Sequence, residues 1–333
     1  MKHSIRYSAS LSATALLIAL MASHSSAWSQ AASTPSADMQ SEARDARSQQ
    51  NTVPDTKGTG PYPALKQEVA SLPHHVIYRP ADLSASLKKK LPVLAWGNGG
   101  CSDDGASSRL HLLEIASHGY LAIANGTIKS GPGTRPAPAP APRADGQLPP
   151  PATSSKQLIE AIDWALAENT RSGSEFYGRI DPTAIAVAGY SCGGLQALEI
   201  AGDKRLRTVI IHNSGIFSPE HATRLPSMDI GKDTLKKLHT PVLYIQGGPK
   251  DVAYGNGMDD FNRIEHVPAV MANIDVGHGG TFMEPEGGRA AQVAVAWLEW
   301  QLRGDENAKR WFVGPDCRLC SDKDWTIERK KLR

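Results

Sequence analysis

The 333-residue sequence has no charge bias, with 36 Lys and Arg against 34 Asp and Glu and a formal net charge of +2. Its cations are dispersed among the acids, so no basic stripe exists to follow a phosphate backbone, and the charged residues read as a solvated surface. Nucleic acid is therefore not an expected partner. Long apolar runs are missing too: after the N-terminal region nothing is long enough to span a bilayer. Cysteine is scarce, four residues in all, and none lies near the N-terminus to carry a lipid. No repeat period is present. The 40% of hydrophobic residues suffices for one substantial core.

Residues 1–27 have the layout of an export signal: Lys2 and Arg6 supply positive charge, residues 11–21 an apolar core, and Ser25 and Ala27 the small residues a signal peptidase needs. The apolar core is short for a membrane span, so cleavage after Ala27 or a few residues later is expected, with a retained anchor as the alternative. An exported protein, periplasmic or secreted, without a stable membrane anchor follows. Residues 28–63 are Ala, Ser, Gln, Thr and Pro with scarcely a large apolar side chain, the composition of a disordered leader. In an oxidising compartment Cys317 and Cys320, spaced C-x-x-C without companion histidines, favour a local disulfide over a metal site.

From residue 64 to 333 one catalytic domain is expected. Strands are predicted at residues 76–78, 91–96, 120–124, 184–188, 208–211, 242–245 and, last, 267–274. Helices are predicted at 107–118, 153–168, 194–201 and 290–302, with the 153–168 helix capped by Thr153, Ser154 or Ser155, and Asp181–Pro182 turning the chain into the 184–188 strand. Alternating strands and helices define an α/β protein with an open, mostly parallel central sheet and helices on both faces. In such sheets the chemistry gathers at the carboxyl ends of the strands. Residues 129–151 interrupt the pattern with alternating Pro and Ala; they form an extended insertion loop, either a cover near the site or an inert excursion.

The chain is organised around Gly189-Tyr190-Ser191-Cys192-Gly193, a G-x-S-x-G pentapeptide between a buried strand and a helix. That is the order of a nucleophile elbow, and it nominates Ser191 as nucleophile. A serine hydroxyl needs a base within hydrogen-bond reach and a third group to orient that base. Asp251, in the glycine-rich loop after the 242–245 strand, is the acid, with Asp259 and Asp260 as rivals. His278, flanked by glycines after the 267–274 strand, is the base, with His212 and His266 as fallbacks, and Asp275 is structural. Attack on a carbonyl develops an oxyanion that needs fixed donors. The Cys192 amide is one, and the loop Trp96-Gly97-Asn98-Gly99-Gly100 supplies the other, Asn98 first and Gly99 second. Cys101 ends that loop and Cys192 follows the serine, so the two either form a disulfide or remain separate buried thiols.

G-Y-S-C-G-G at the nucleophile, G-G-P-K-D-V-A at the acid and G-H-G-G at the base, in that order, resemble the α/β-hydrolase superfamily. The resemblance is closest to its branch of dienelactone-hydrolase-like proteins, cutinases and polyester hydrolases, and chlorophyllase-like proteins, and it runs from about residue 65 to the end. It implies the α/β-hydrolase fold, no metal or organic cofactor, and a carboxylic ester, small or polymeric, as substrate. Two departures stand out: Trp96 replaces the histidine of a His-Gly pair at the oxyanion loop, and Ser191 stands where dienelactone hydrolases proper carry cysteine. A peptidase or amidase with the same triad, or a non-catalytic binding protein, are the other classes. Mass analysis of chain recovered from outside the cytoplasm should show an N-terminus at Trp28 or a few residues later; full-length chain in the membrane fraction would overturn the export reading.

Overall fold

Residues 51–84, 89–135, 150–218, 228 and 230–332 are described by the structure, a computed structural model. The export signal at 1–27, the leader as far as residue 50 and most of the insertion at 129–151 lie outside the described residues. The strands are β1 Ala64–Gln67, β2 His75–Pro80, β3 Leu91–Gly97, β4 Leu121–Asn125, β5 Ile180–Tyr190, β6 Leu206–His212, β7 Val242–Gln246, β8 Ala269–Ile274 and β9 Trp325–Lys330. They form one nine-stranded sheet in the order β1-β2-β4-β3-β5-β6-β7-β8-β9. From β4 across to β8 every pairing is parallel. β2 runs antiparallel to both its neighbours, and β9 runs antiparallel to β8.

Successive side chains of a strand point to opposite faces, and the core divides accordingly. Val93, Ala95, Val187, Val209 and Ile211 belong to one cluster, covered by α2 (Ser155–Thr170), α3 (Cys192–Glu199) and α4 (Tyr254–Arg263). Leu94, Trp96, Ala186, Ala188 and Ile210 belong to the other, covered by α1 (Arg109–Ser117) and α5 (Gly288–Arg303). Every residue of β3 is buried, as an unbroken apolar run in a parallel sheet requires. Ser154 is the N-cap of α2, and its amide donates to the Gln157 side chain at 2.9 Å.

Four expectations need correction. The 267–274 run does not end the sheet: β9 follows, an edge strand whose Glu328, Arg329 and Lys330 hide it from an apolar pattern while discouraging edge-to-edge pairing. Residues 64–67, too short and polar to read, add β1, and α4 forms despite Gly255 and Gly257. Asp181 and Pro182 do not precede the elbow strand but lie within β5, where an irregularity between Leu91 and Val93 absorbs them and the Asp181 carboxylate accepts from Thr183 N at 2.9 Å. Finally, the leader does not stay featureless to residue 63. Arg109 Nε donates to Asp55 at 2.8 Å, Thr59 N to Glu114 at 2.7 Å and Gly60 N to Ser117 Oγ at 2.9 Å. This strap gives Arg109, Glu114 and Ser117 partners in a helix that is buried at every position.

His111 has no partner in the strap. It meets His212 of β6 edge to face, ring centroids 4.9 Å apart, in a packet closed by Trp96 and Phe282. Neither ring has a hydrogen-bond partner among the described residues. Burial pushes His111 down to about 3, against the opposing charge of Glu114. Burial, and then the repulsion that a protonated His111 would exert, hold His212 well below 6.5. An unfolded chain protonates both rings below their ordinary value, whereas the folded chain refuses them. Their neutral state therefore favours folding fully above about pH 6.5 and less as pH falls, by up to about 1.4 kcal/mol per pH unit for each ring. Urea unfolding between pH 7 and 5 should show a pH slope shallower by about one proton in His212→Phe than in the natural chain; identical slopes would contradict a buried neutral pair.

Candidate active site

The strand order turns back on itself between β3 and β5, because β4 lies on one side of β3 and β5 on the other. The crevice outside the carboxyl ends of such a pair is the place where an open α/β sheet admits a ligand. The chain leaves β3 there through Asn98 and leaves β5 through Ser191.

Ser191 has φ 53° and ψ −120°, a conformation few side-chain-bearing residues tolerate. Its amide donates to His212 O at 2.9 Å, and its carbonyl accepts from Gly194 N at 2.9 Å and from Ser214 Oγ at 2.6 Å. The turn is tight enough that a Cβ on Gly189 would lie 2.1 Å from Gly193 O, and one on Gly193 would lie 2.1 Å from Gly97 O. Both glycines of the pentapeptide are thus explained by backbone approaching backbone.

Ser191 Oγ lies 3.0 Å from His278 Nε2, and His278 Nδ1 lies 2.6 Å from Asp251 Oδ1. An ionised carboxylate only accepts, so Nδ1 carries the proton and Nε2 is left to accept from the serine. The Asp251 side chain has no exposed surface, whereas 31% of the His278 side chain is exposed. Oδ1 of Asp251 also accepts from Ala253 N at 2.8 Å, and Oδ2 accepts from Asn213 Nδ2 at 2.8 Å and Gly247 N at 3.1 Å. Burial pushes the Asp251 carboxyl up, but the hydrogen bonds from His278, Ala253 N and Asn213, with the charge of a protonated His278, outweigh it and hold the group below 3.8.

The rivals lie elsewhere. Asp260 and Asp259 both pair with Lys232, at 2.7 and 2.8 Å. His212 is enclosed in the aromatic packet, and His266 Nε2 donates to Leu238 O at 2.9 Å. Asp275 pairs with Lys250 on the surface at 3.4 Å. A cavity of about 580 Å³ between α1, α5 and the C-terminal segment is lined by none of Ser191, Asp251 and His278; its Glu114 is engaged by Thr59 and His118.

Asn98 is fully buried, and its side-chain Nδ2 is committed to Asn125 O at 2.7 Å and Ser102 O at 3.0 Å. Its backbone nitrogen would lie 2.6 Å from a Cβ on Gly193, which sets that amide against the elbow one residue from Cys192. Gly99 lies over the Tyr190 ring, which a Cβ there would strike at 2.4 Å. Cys101 and Cys192 form a disulfide with Cα atoms 5.2 Å apart, joining the loop after β3 to the residue after Ser191. Cys317 and Cys320 form the second, and no described cysteine is free.

Two residues at the site went unread in the sequence. Tyr190 OH donates to His278 O at 2.8 Å, and burial, then the charge of Asp251, push that hydroxyl up to about 12, so it stays a donor. Asn213 has its own left-handed φ of 44° just beyond β6. The polar run Asn213-Ser214-Gly215 directly after an apolar strand was the available signal. Comparison of the sequence with models of known protein families and with curated proteins finds no match.

The Cys101–Cys192 bond closes a loop of 91 residues. In the chain-entropy picture a loop of that length stabilises by roughly 4.6 kcal/mol. Unreduced proteolysis should yield one cross-linked peptide pair containing Cys101 and Cys192. Replacing both by serine should lower the unfolding midpoint far more than replacing Cys317 and Cys320; equal small losses would contradict the pairing.

Proposed function

We propose that the protein is an exported serine hydrolase of the α/β-hydrolase type that cleaves carboxylic esters through an acyl-enzyme. The observation that carries the reading is the unbroken hydrogen-bond chain from Ser191 through His278 to a buried Asp251, headed by a strained serine at a strand-to-helix elbow. The groups follow one another as serine, acid and histidine after β5, β7 and β8, the chain order of the α/β hydrolases. The preference for an ester over an amide rests on the sequence resemblance. Export is supported by two disulfides, since such bonds persist in oxidising compartments.

In this mechanism Ser191 Oγ attacks the ester carbonyl carbon as its proton passes to His278 Nε2. The carbonyl oxygen becomes an oxyanion held by the amides of Cys192 and Asn98, or Gly99 in place of the latter. Collapse of the tetrahedral intermediate breaks the ester C–O bond, and the departing alkoxide takes the proton from His278. Water then repeats the sequence on the acyl-serine, releasing the acid and restoring the serine proton. Asp251 keeps the imidazole in the tautomer that accepts from serine and stabilises it once protonated. Each step uses protein groups and water, without a metal or organic cofactor.

With a short-chain p-nitrophenyl ester the mature protein should release a burst of p-nitrophenol of about one equivalent before steady turnover. Ser191→Ala should abolish it, and Asp251→Asn should lower kcat by about four orders of magnitude. Turnover by Ser191→Ala equal to that of the natural chain would remove the mechanism, and faster cleavage of aminoacyl anilides than of esters would transfer it to amides.

A further inference from the structure

Gly277 and His278 contribute consecutive carbonyls to the loop that carries the base, and each carbonyl is held by a side chain from a different strand end. Asn213, just past β6, donates from Nδ2 to Gly277 O at 3.1 Å, and Tyr190, the last residue of β5, donates from its hydroxyl to His278 O at 2.8 Å. We infer that Asn213 and Tyr190 are positioning residues that hold the His278 loop in register between Ser191 and Asp251, an inference that rests on the hydrolase reading for its catalytic consequence.

The loop needs such restraint. Its run Gly277-His278-Gly279-Gly280 has left-handed φ values at Gly277 and Gly280, 73° and 57°, and glycines leave the largest conformational freedom to be removed. Its backbone anchor to a neighbouring loop is on the side before the histidine, where Val276 N and Gly277 N both donate to Gly247 O at 3.2 and 2.8 Å; after the histidine Gly280 N donates only within the loop, to Gly277 O at 3.2 Å. Asn213 is itself fixed, since its backbone N–H donates to Ile245 O at 2.8 Å and the residue is 2% exposed. Both hydrogens of its Nδ2 are used, one on Gly277 O and one on Asp251 Oδ2, so a single amide spans the acid and base loops. Tyr190 braces the other side. Its ring lies under Gly99 of the oxyanion loop and 4.6 Å from the Phe282 ring, so one side chain contacts the oxyanion loop and the base loop while preceding the serine. Both residues act through His278, and neither has a step of its own in the chemistry.

Tyr190→Phe removes only the hydroxyl, Asn213→Ala removes both amide hydrogens, and Asn213→Asp keeps the shape. The aspartate can donate only when protonated, and beside Asp251 two carboxylates must share a proton. With a p-nitrophenyl ester, kcat should fall about 10-fold in Tyr190→Phe and about 100-fold in Asn213→Ala, the scale of a small misplacement of a catalytic group. KM should stay within about twofold, and melting temperature within about 5 °C. The activity of Asn213→Asp relative to the natural chain should rise as pH falls from 8 to 5.5. Independently of turnover, the proton NMR signal of His278 Nδ1–H should be sharp and far downfield in the natural chain and broadened in Tyr190→Phe and Asn213→Ala.

Unchanged kcat in both of those variants, a pH-independent Asn213→Asp ratio, or a His278 signal unaffected by either substitution would overturn the positioning role. A natural chain that shows the NMR pattern and hydrolyses no ester would uphold the positioning role and sink the ester-hydrolase reading.

Discussion

A carboxylate with no exposed surface must find its full set of donors or give up its charge, and this demand on Asp251 organises the carboxyl edge of the sheet. Four donors meet it: His278 Nδ1, Ala253 N, Gly247 N and Asn213 Nδ2. They arise from the loops that follow β6, β7 and β8, so satisfying one buried charge draws three loops together. The imidazole is the only one of the four with a second ring nitrogen, and that nitrogen faces Ser191. Burial by itself would favour a neutral Asp251; the donors prevail and keep the group ionised, the state that holds the proton on Nδ1.

The serine is brought to this edge by a different constraint. Backbone must pass against backbone where β3 and β5 end, and Gly97, Gly189 and Gly193 stack without room for a Cβ. Once that approach is made, the Asn98 amide lies against the elbow and the Cys101–Cys192 bond joins the two segments covalently. Beneath them Trp96, His111, His212 and Phe282 fill the space with neutral rings. His212 contributes its carbonyl to Ser191 N while its ring stays in that packet, so this histidine supports the turn through its backbone.

The parts of this arrangement that were legible in the sequence are those imposed by local sterics or by strand ends. The elbow shows because its neighbours must be small, and Asp251 and His278 show because each follows an apolar strand in a glycine-rich loop. Tyr190 and Asn213 did not, because their partners are carbonyls in a loop more than sixty residues away in sequence, a contact that leaves no local pattern. The parallel strands were readable from unbroken apolar runs, whereas β1 and β9 at the sheet edges carry the polar residues of half-exposed strands. Residues 51–63 have the composition of a leader and are nonetheless held, because they exchange hydrogen bonds with Arg109, Glu114 and Ser117, buried polar residues of α1.

A fluorophosphonate reacts with a serine hydroxyl only where a neighbouring base has made it nucleophilic, so mapping its adduct by mass spectrometry tests the hydrogen-bond chain most directly. The mature protein should carry one adduct per chain, on Ser191, and a folded His278→Ala variant should carry none. A folded natural chain that stays unmodified at Ser191 would contradict the nucleophile, and equal labelling of the His278→Ala variant would contradict the base.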